Sequence, residues 1–157
     1  MKRAVNCGLV KADNMKQAIL LLSFGTPRQP SDLLPYLTSI RRGKIPTERE
    51  LEVLTARYDA IGQWDNKLLQ TMGEEQKKTL ESLLKIDAMY LAYLHMPNSM
   101  EQAVESIAAA GYTSILCIVT SPFYSMVGTG AYERKLHSIL RAYPDISCEI
   151  IKSWWNR

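Results

Sequence analysis

The sequence predicts an α/β domain, a four-stranded parallel sheet flanked by helices, on three observations. Short apolar runs alternate with amphipathic helical stretches along the chain, and elements in that alternation assemble into parallel sheets through right-handed crossovers. The runs are apolar at nearly every position rather than at every second one, as strands covered on both faces require. The 157 residues are 46% hydrophobic and 22% charged, one domain's worth of chain with enough apolar side chains for a core.

Residues 1–17 read as a flexible N-terminal tail, with Met15 as a second possible start, and the domain is expected over 18–157. The first strand is the run AILLLSF at 18–24, stopped by Gly25-Thr26-Pro27. A helix follows from Asp32, whose carboxylate is positioned to cap free amides. Pro35 then falls in the first turn, Leu33, Leu37 and Ile40 form the apolar stripe, and Arg41-Arg42-Gly43 ends it. Thr47-Glu48-Arg49-Glu50 fits a capping box ahead of a second helix with Leu51, Leu54, Tyr58 and Ile61 at helical spacing. A third helix, about 68–84, sets Leu69, Met72, Leu80, Leu83 and Leu84 against a solvated face of Glu74, Glu75, Lys77 and Lys78.

MYLAYL at 89–94 is the second strand, closed by His95-Met96-Pro97. Ser99-Met100-Glu101-Gln102 fits another capping box, opening a helix with Ala103, Val104 and Ile107 inward and Gly111 as its stop. TSILCIVT at 113–120 is the third strand. After the loop SPFYSMVGTG comes a helix whose apolar stripe is Tyr132, Leu136, Leu140 and Tyr143, and residues 146–151 form the fourth strand. A buried last strand ordinarily runs on into a helix that covers it. Here Trp154 and Trp155 follow instead, so some further surface is expected to cover that apolar face.

Charge and composition exclude several classes of function. Nineteen Lys and Arg against sixteen Asp and Glu leave a net +3, too little to indicate a nucleic-acid partner. The longest apolar runs fall far short of the roughly 20 residues that span a bilayer, so membrane contact is at most peripheral. The first residues are basic but lack an apolar stretch followed by a cleavage site, so no secretory signal is expected. Cys7, Cys117 and Cys148 are widely spaced with no Cys-x-x-Cys pair, which fits a reducing cytoplasm better than a disulfide framework or a zinc site. Gly128-Thr129-Gly130 lacks the third glycine of a dinucleotide fingerprint, and no Gly-Lys-Ser/Thr loop is present.

Ligands of open α/β sheets bind beyond the carboxyl ends of the strands, which directs attention to residues 24–27, 95–97, 121–130 and 153–157. His95 stands at such an end, where an imidazole serves as metal ligand or proton acceptor near neutral pH. The bland alternative is a histidine hydrogen-bonded under a loop. His137 reads as a surface side chain. With two histidines in the chain and no compact carboxylate cluster, a complete metal site within these residues is not expected. Arg41, Arg42, Lys44 and Arg57 flank the first two helices, either converging on an anion or lying as solvated helix ends.

Taken together, LLLSFGTP, YLTSIRRGKIP, LTARYDAIG, YLHMPNSMEQAV and SPFYSMVGTGAYERK resemble the ferrochelatases, above all the bacterial coproporphyrin type of haem biosynthesis. The resemblance runs over about residues 18–155. It implies insertion of ferrous iron into a porphyrin held in a cleft between two similar α/β domains, with iron and porphyrin as substrates and no organic cofactor. It places Arg41, Arg57 with Tyr58, and Tyr132 on porphyrin-contacting positions. His95 falls on a family histidine at the end of the second strand, a catalytic proton carrier or metal site.

Three departures from the family pattern stand out. Phe24 stands where the bacterial pattern has a tyrosine before Gly-Thr-Pro, and it cannot ligate a metal. Gln63-Trp64-Asp65-Asn66-Lys67 replaces a glycine-rich Ser-Pro-Leu segment, which puts Asp65 at a serine contact. The family's second domain, with its principal catalytic histidine and partner glutamate, has no counterpart here. The opposite wall is then expected from a missing second domain or a homodimer partner, the latter as in the short chelatases of the cobalamin and sirohaem pathways. Two alternatives stay open: a porphyrin- or haem-binding module without catalysis, and a flavodoxin-like binding domain, which explains the strands but not the motifs.

Overall fold

The structure, a computed structural model of the chain, describes residues 16–62, 64 and 68–155. Its strands are β1 (Gln17–Ser23), β2 (Met89–Tyr93), β3 (Ser114–Val119) and β4 (Ser147–Ile151), and its helices α1 (Leu33–Ile40), α2 (Glu48–Ala60), α3 (Leu68–Leu84), α4 (Ser99–Ala109) and α5 (Thr129–Leu140). The four strands form one sheet in the order β2-β1-β3-β4, and every neighbouring pair is parallel. The expected architecture is therefore present. Of the expected tail, residues 1–15 lie outside the described residues, and Gln17 already belongs to β1. No described helix is long and apolar enough to cross a membrane.

Alternation along the strands divides their side chains between two faces. On one, Leu20, Leu22, Ile115, Cys117 and Val119 meet Met100, Val104 and Ile107 of α4 and Tyr132 and Leu136 of α5, all buried in a single core. Full burial of each such aliphatic side chain stabilises the fold by roughly 1.5–3 kcal/mol. The other face carries Ile19 and Leu21, which are buried, and Leu91, Leu116, Ile118 and Ile151, which are half-buried.

Helix α3 packs on β2 of this second face at Gly73, its one buried residue. A Cβ there would lie 3.2 Å from both Leu91 Cδ2 and Tyr93 Oη, so glycine permits the close approach. The expected apolar stripe of α3 is not buried: Leu69, Met72, Leu83 and Leu84 are all exposed. Contact at a glycine on β2 leaves the stripe overhanging the rest of the sheet. A groove of about 600 Å³ results, lined by Leu21, Ile118 and Thr120 of the sheet side, Met72 and Leu80 of α3, and Trp154. Strand β4, expected to be buried, is an edge strand of half-exposed residues. Trp154 folds back beside it, its indole N–H donating to the Val119 carbonyl at 2.9 Å, while Trp155 lies against Phe123 and stays exposed.

Three helix starts test the local reading. The Thr47 box forms in full, with Glu50 N–H donating to Thr47 Oγ1 and Thr47 N–H to Glu50 Oε2. The Ser99 box does not form. Asn98 occupies the cap with φ 55° and no side-chain bond, because the Ser99 hydroxyl instead accepts the Tyr93 N–H at 3.0 Å and so closes the end of β2. Asp32 likewise turns away from α1: its carboxylate accepts the Arg28 N–H at 2.9 Å and steadies the loop leaving β1.

Candidate functional site

The chain leaves β1 for β2 on one side and later enters β3 on the other, so the winding reverses between β1 and β3. A crevice opens at the carboxyl ends of strands at such a reversal. Here it is a cavity of about 910 Å³. Phe24 enters it from the end of β1, Leu94 and His95 from the end of β2, and Met126, Val127 and Gly128 from the loop after β3. Ser39, Ile40 and Arg42 come from the end of α1, and Ala131, Arg134 and Lys135 from α5.

His95 is fixed by its neighbours. Its backbone N–H donates to the Phe24 carbonyl at 3.1 Å, continuing the β1–β2 pairing past the strand ends. The ring centroids of His95 and Phe24 are 4.4 Å apart at 60°, and Tyr36 approaches both rings edge-on. Ser39 Oγ lies 2.9 Å from Nδ1. Burial, and after it the positive charge of Lys135, lowers the imidazole pKa below its ordinary value, so the ring is neutral at pH 7 and able to accept a proton.

Lys135 is itself held between the Leu94 carbonyl at 3.5 Å and the Glu101 carboxylate at 3.4 Å. Arg134 donates to the Met126 carbonyl at 3.1 Å, bracing the loop after β3. The cavity thus combines apolar walls from Phe24, Ile40, Leu94, Met126 and Val127 with the cationic side chains of Arg42, Arg134 and Lys135. Such a site suits a flat apolar ring system with acidic substituents. Among the described residues no group of three or more His, Cys, Asp or Glu side chains is placed to hold a metal ion.

The expected site residues divide among several places. Phe24 and His95 share the cavity. Tyr58 lies behind Phe24 in an adjoining recess of about 340 Å³ with Tyr36 and Tyr93. Burial, and after it the neighbouring Tyr58 hydroxyl, raises the Tyr36 pKa. Arg41 and Arg57 line a separate groove between α1 and α2, where Arg41 is ion-paired to Glu50. Tyr132 points into the core, and burial pushes its pKa up to about 12. Asp65 lies outside the described residues.

Arg134 and Lys135 were passed over in the sequence, although a signal for them exists. Tyr132 and Leu136 are one turn apart and face inward, so Ala131, Arg134 and Lys135, three and four apart, share another face of α5. Arg42 was one of the four cations flanking the first two helices, and of those four it is the one that reaches the cavity.

The sequence model of the family described as Ferrochelatase matches residues 16–157. The coproporphyrin III ferrochelatase of Staphylococcus epidermidis is 36% identical over 122 residues, covering 74% of this chain and 39% of the relative. That of Staphylococcus aureus (strain Mu50) is 34% identical over 125 residues, covering 76% of this chain and 40% of the relative. The chain spans about 40% of the length of the curated relatives it matches. A match over all of the described residues, on a doubly wound sheet with a cavity at its reversal, establishes that this chain belongs to the ferrochelatase family.

Proposed function

We propose that the chain acts in haem biosynthesis by inserting ferrous iron into a porphyrin seated in the cavity between β1, β2 and α5. The observation that carries this reading is the pairing, in one cavity of about 910 Å³, of a neutral imidazole with cationic side chains on apolar walls. As iron enters a porphyrin, two pyrrole N–H bonds break; their electron pairs stay on nitrogen to bind the metal, and two protons must leave. His95 accepts such a proton. Arg42, Arg134 and Lys135 receive the carboxylates of the macrocycle, and Phe24 packs against its plane. Iron and porphyrin are both substrates, and no organic cofactor is required.

In this reading a second domain or a second copy of the chain provides the wall that faces these residues across the porphyrin. The three widely spaced cysteines of the sequence, with no Cys-x-x-Cys pair, suit a cytoplasmic placement. Phe24 favours a second reading, a porphyrin- or haem-binding module without turnover, because a phenyl ring offers no ligand atom where a tyrosine would. Titrating the chain with coproporphyrin III, the compound in the names of its relatives, and following the Soret band tests both. Saturable binding with anaerobic conversion to the iron porphyrin supports the enzyme. Saturable binding without conversion, even with a partner domain added, supports the module. No saturable binding overturns both.

A further inference from the structure

His95 shares a hydrogen bond with Ser39 of α1. Tyr36 and Ser39, three residues apart in α1, share a face of the helix. One supplies an edge contact to the imidazole, the other an oxygen 2.9 Å from Nδ1. A helical Ser or Thr hydroxyl commonly bonds back to the carbonyl four residues earlier, as Thr38 does to Leu34 at 2.7 Å. Ser39 is aimed at the histidine instead. Among the described residues the other ring nitrogen, Nε2, has no hydrogen-bond partner.

A neutral imidazole holds its proton on one nitrogen and its lone pair on the other, and the partner of one nitrogen decides the arrangement. If Ser39 donates to Nδ1, the proton sits on Nε2, which then cannot accept another. If Ser39 accepts from Nδ1–H, Nε2 carries the lone pair. Ser39 is exposed, so its own hydroxyl proton can be donated to water and the accepting arrangement leaves no donor stranded.

We propose that Ser39 is a positioning residue for His95: its Oγ accepts the Nδ1–H, holds the ring in place and leaves the Nε2 lone pair to the cavity. This rests on the reading of that cavity as the porphyrin seat. In the transfer, Nε2 forms a new N–H bond as a pyrrole N–H breaks, the broken bond's electron pair stays on the pyrrole nitrogen, and Ser39 keeps its own proton. The side chain acts through His95 and does not touch the reacting atoms.

Long-range 1H–15N correlation spectra of the 15N-histidine-labelled chain read the tautomer directly, with exposed His137 as an internal reference. The expected result is His95 protonated on Nδ1. In Ser39→Ala the signal should shift to the Nε2-protonated form that unconstrained imidazoles prefer, and Ser39→Thr should restore the original form, while His137 stays unchanged in both. An Nε2-protonated His95 in the unaltered chain, or an unchanged tautomer in Ser39→Ala, overturns the proposal. Neither readout depends on porphyrin. A chain that shows the tautomer switch but takes up no porphyrin therefore refutes the assignment of the cavity and not the role of Ser39 in orienting the ring.

Discussion

The two faces of the sheet are built from the same strands with the same alternation, yet one is sealed and the other is partly open. Under α4 and α5 the side chains of Leu20, Leu22, Ile115 and Val119 are buried within one core. On the opposite face Leu116, Ile118 and Ile151 remain half-exposed beside a groove of about 600 Å³. The difference lies in the helices. Helix α4 presents Met100, Val104 and Ile107 to the sheet, whereas α3 presents Gly73. Strand composition fixes what a face can bury; the residue at the helix contact fixes how much of it is buried.

The largest expected effect separates the faces directly. Leu20→Ala removes a side chain from the sealed core and should cost about 2–5 kcal/mol. Ile118→Ala, at the groove, should cost about 1 kcal/mol, because part of the side chain already meets water. Urea unfolding at constant m-value measures both, and equal losses would abolish the distinction. Next in size is Gly73→Val. The added atoms meet Leu91 and Tyr93 at the point of closest approach, so a loss of about 1–3 kcal/mol is expected, with more binding of an apolar dye as α3 lifts. A gain in stability would show that α3 has room to shift. Met72→Gln at the groove edge should change stability by no more than about 0.5 kcal/mol; a larger loss would mean that the groove is filled in solution.

The smallest effect concerns the α1–α2 hairpin, which belongs to neither face. The Thr47 N–H and Arg41 hold the Glu50 pKa down, from 4.5 to about 2. Because the folded value is the lower one, this carboxylate's stabilising contribution is complete above about pH 4.5 and is lost as the pH falls toward 2. Glu50→Gln should therefore lower the neutral plateau and flatten the acid limb in that window, leaving the stability near pH 2 nearly unchanged. A parallel profile would show that the ion pair with Arg41 does not persist in solution.

What could be read from the sequence was what depends on near neighbours. Strand apolarity, the alternation of elements and the Thr47 box are all of this kind, and all appear in the structure. Ser99 and Asp32 carry equally good capping chemistry, but their oxygens were taken by amides elsewhere, at Tyr93 and Arg28. That competition is tertiary and leaves no local trace. The site shows the same division. Phe24 and His95 end neighbouring strands, a placement legible in the two apolar runs, and they line one cavity. Tyr132 lies in the core, as its place in the helical stripe implies, while Arg134 and Lys135 line the cavity. Arg41 and Arg57 had the right charge for an anionic ligand, but no pattern along the chain shows that Arg41 would be engaged by Glu50.

Placing β1 at the centre of the sheet has a consequence for how the chain acquires its structure. Of the four strands this one is made first, while the residue that Gln17 reaches on β3, Ser114, lies 97 positions downstream. The strongly apolar AILLL segment must therefore wait, one side unpaired, until β3 has been made. Pairings so distant along a chain slow folding and leave strands open to self-association, so during synthesis the most vulnerable part of this protein is the part that ends up best protected.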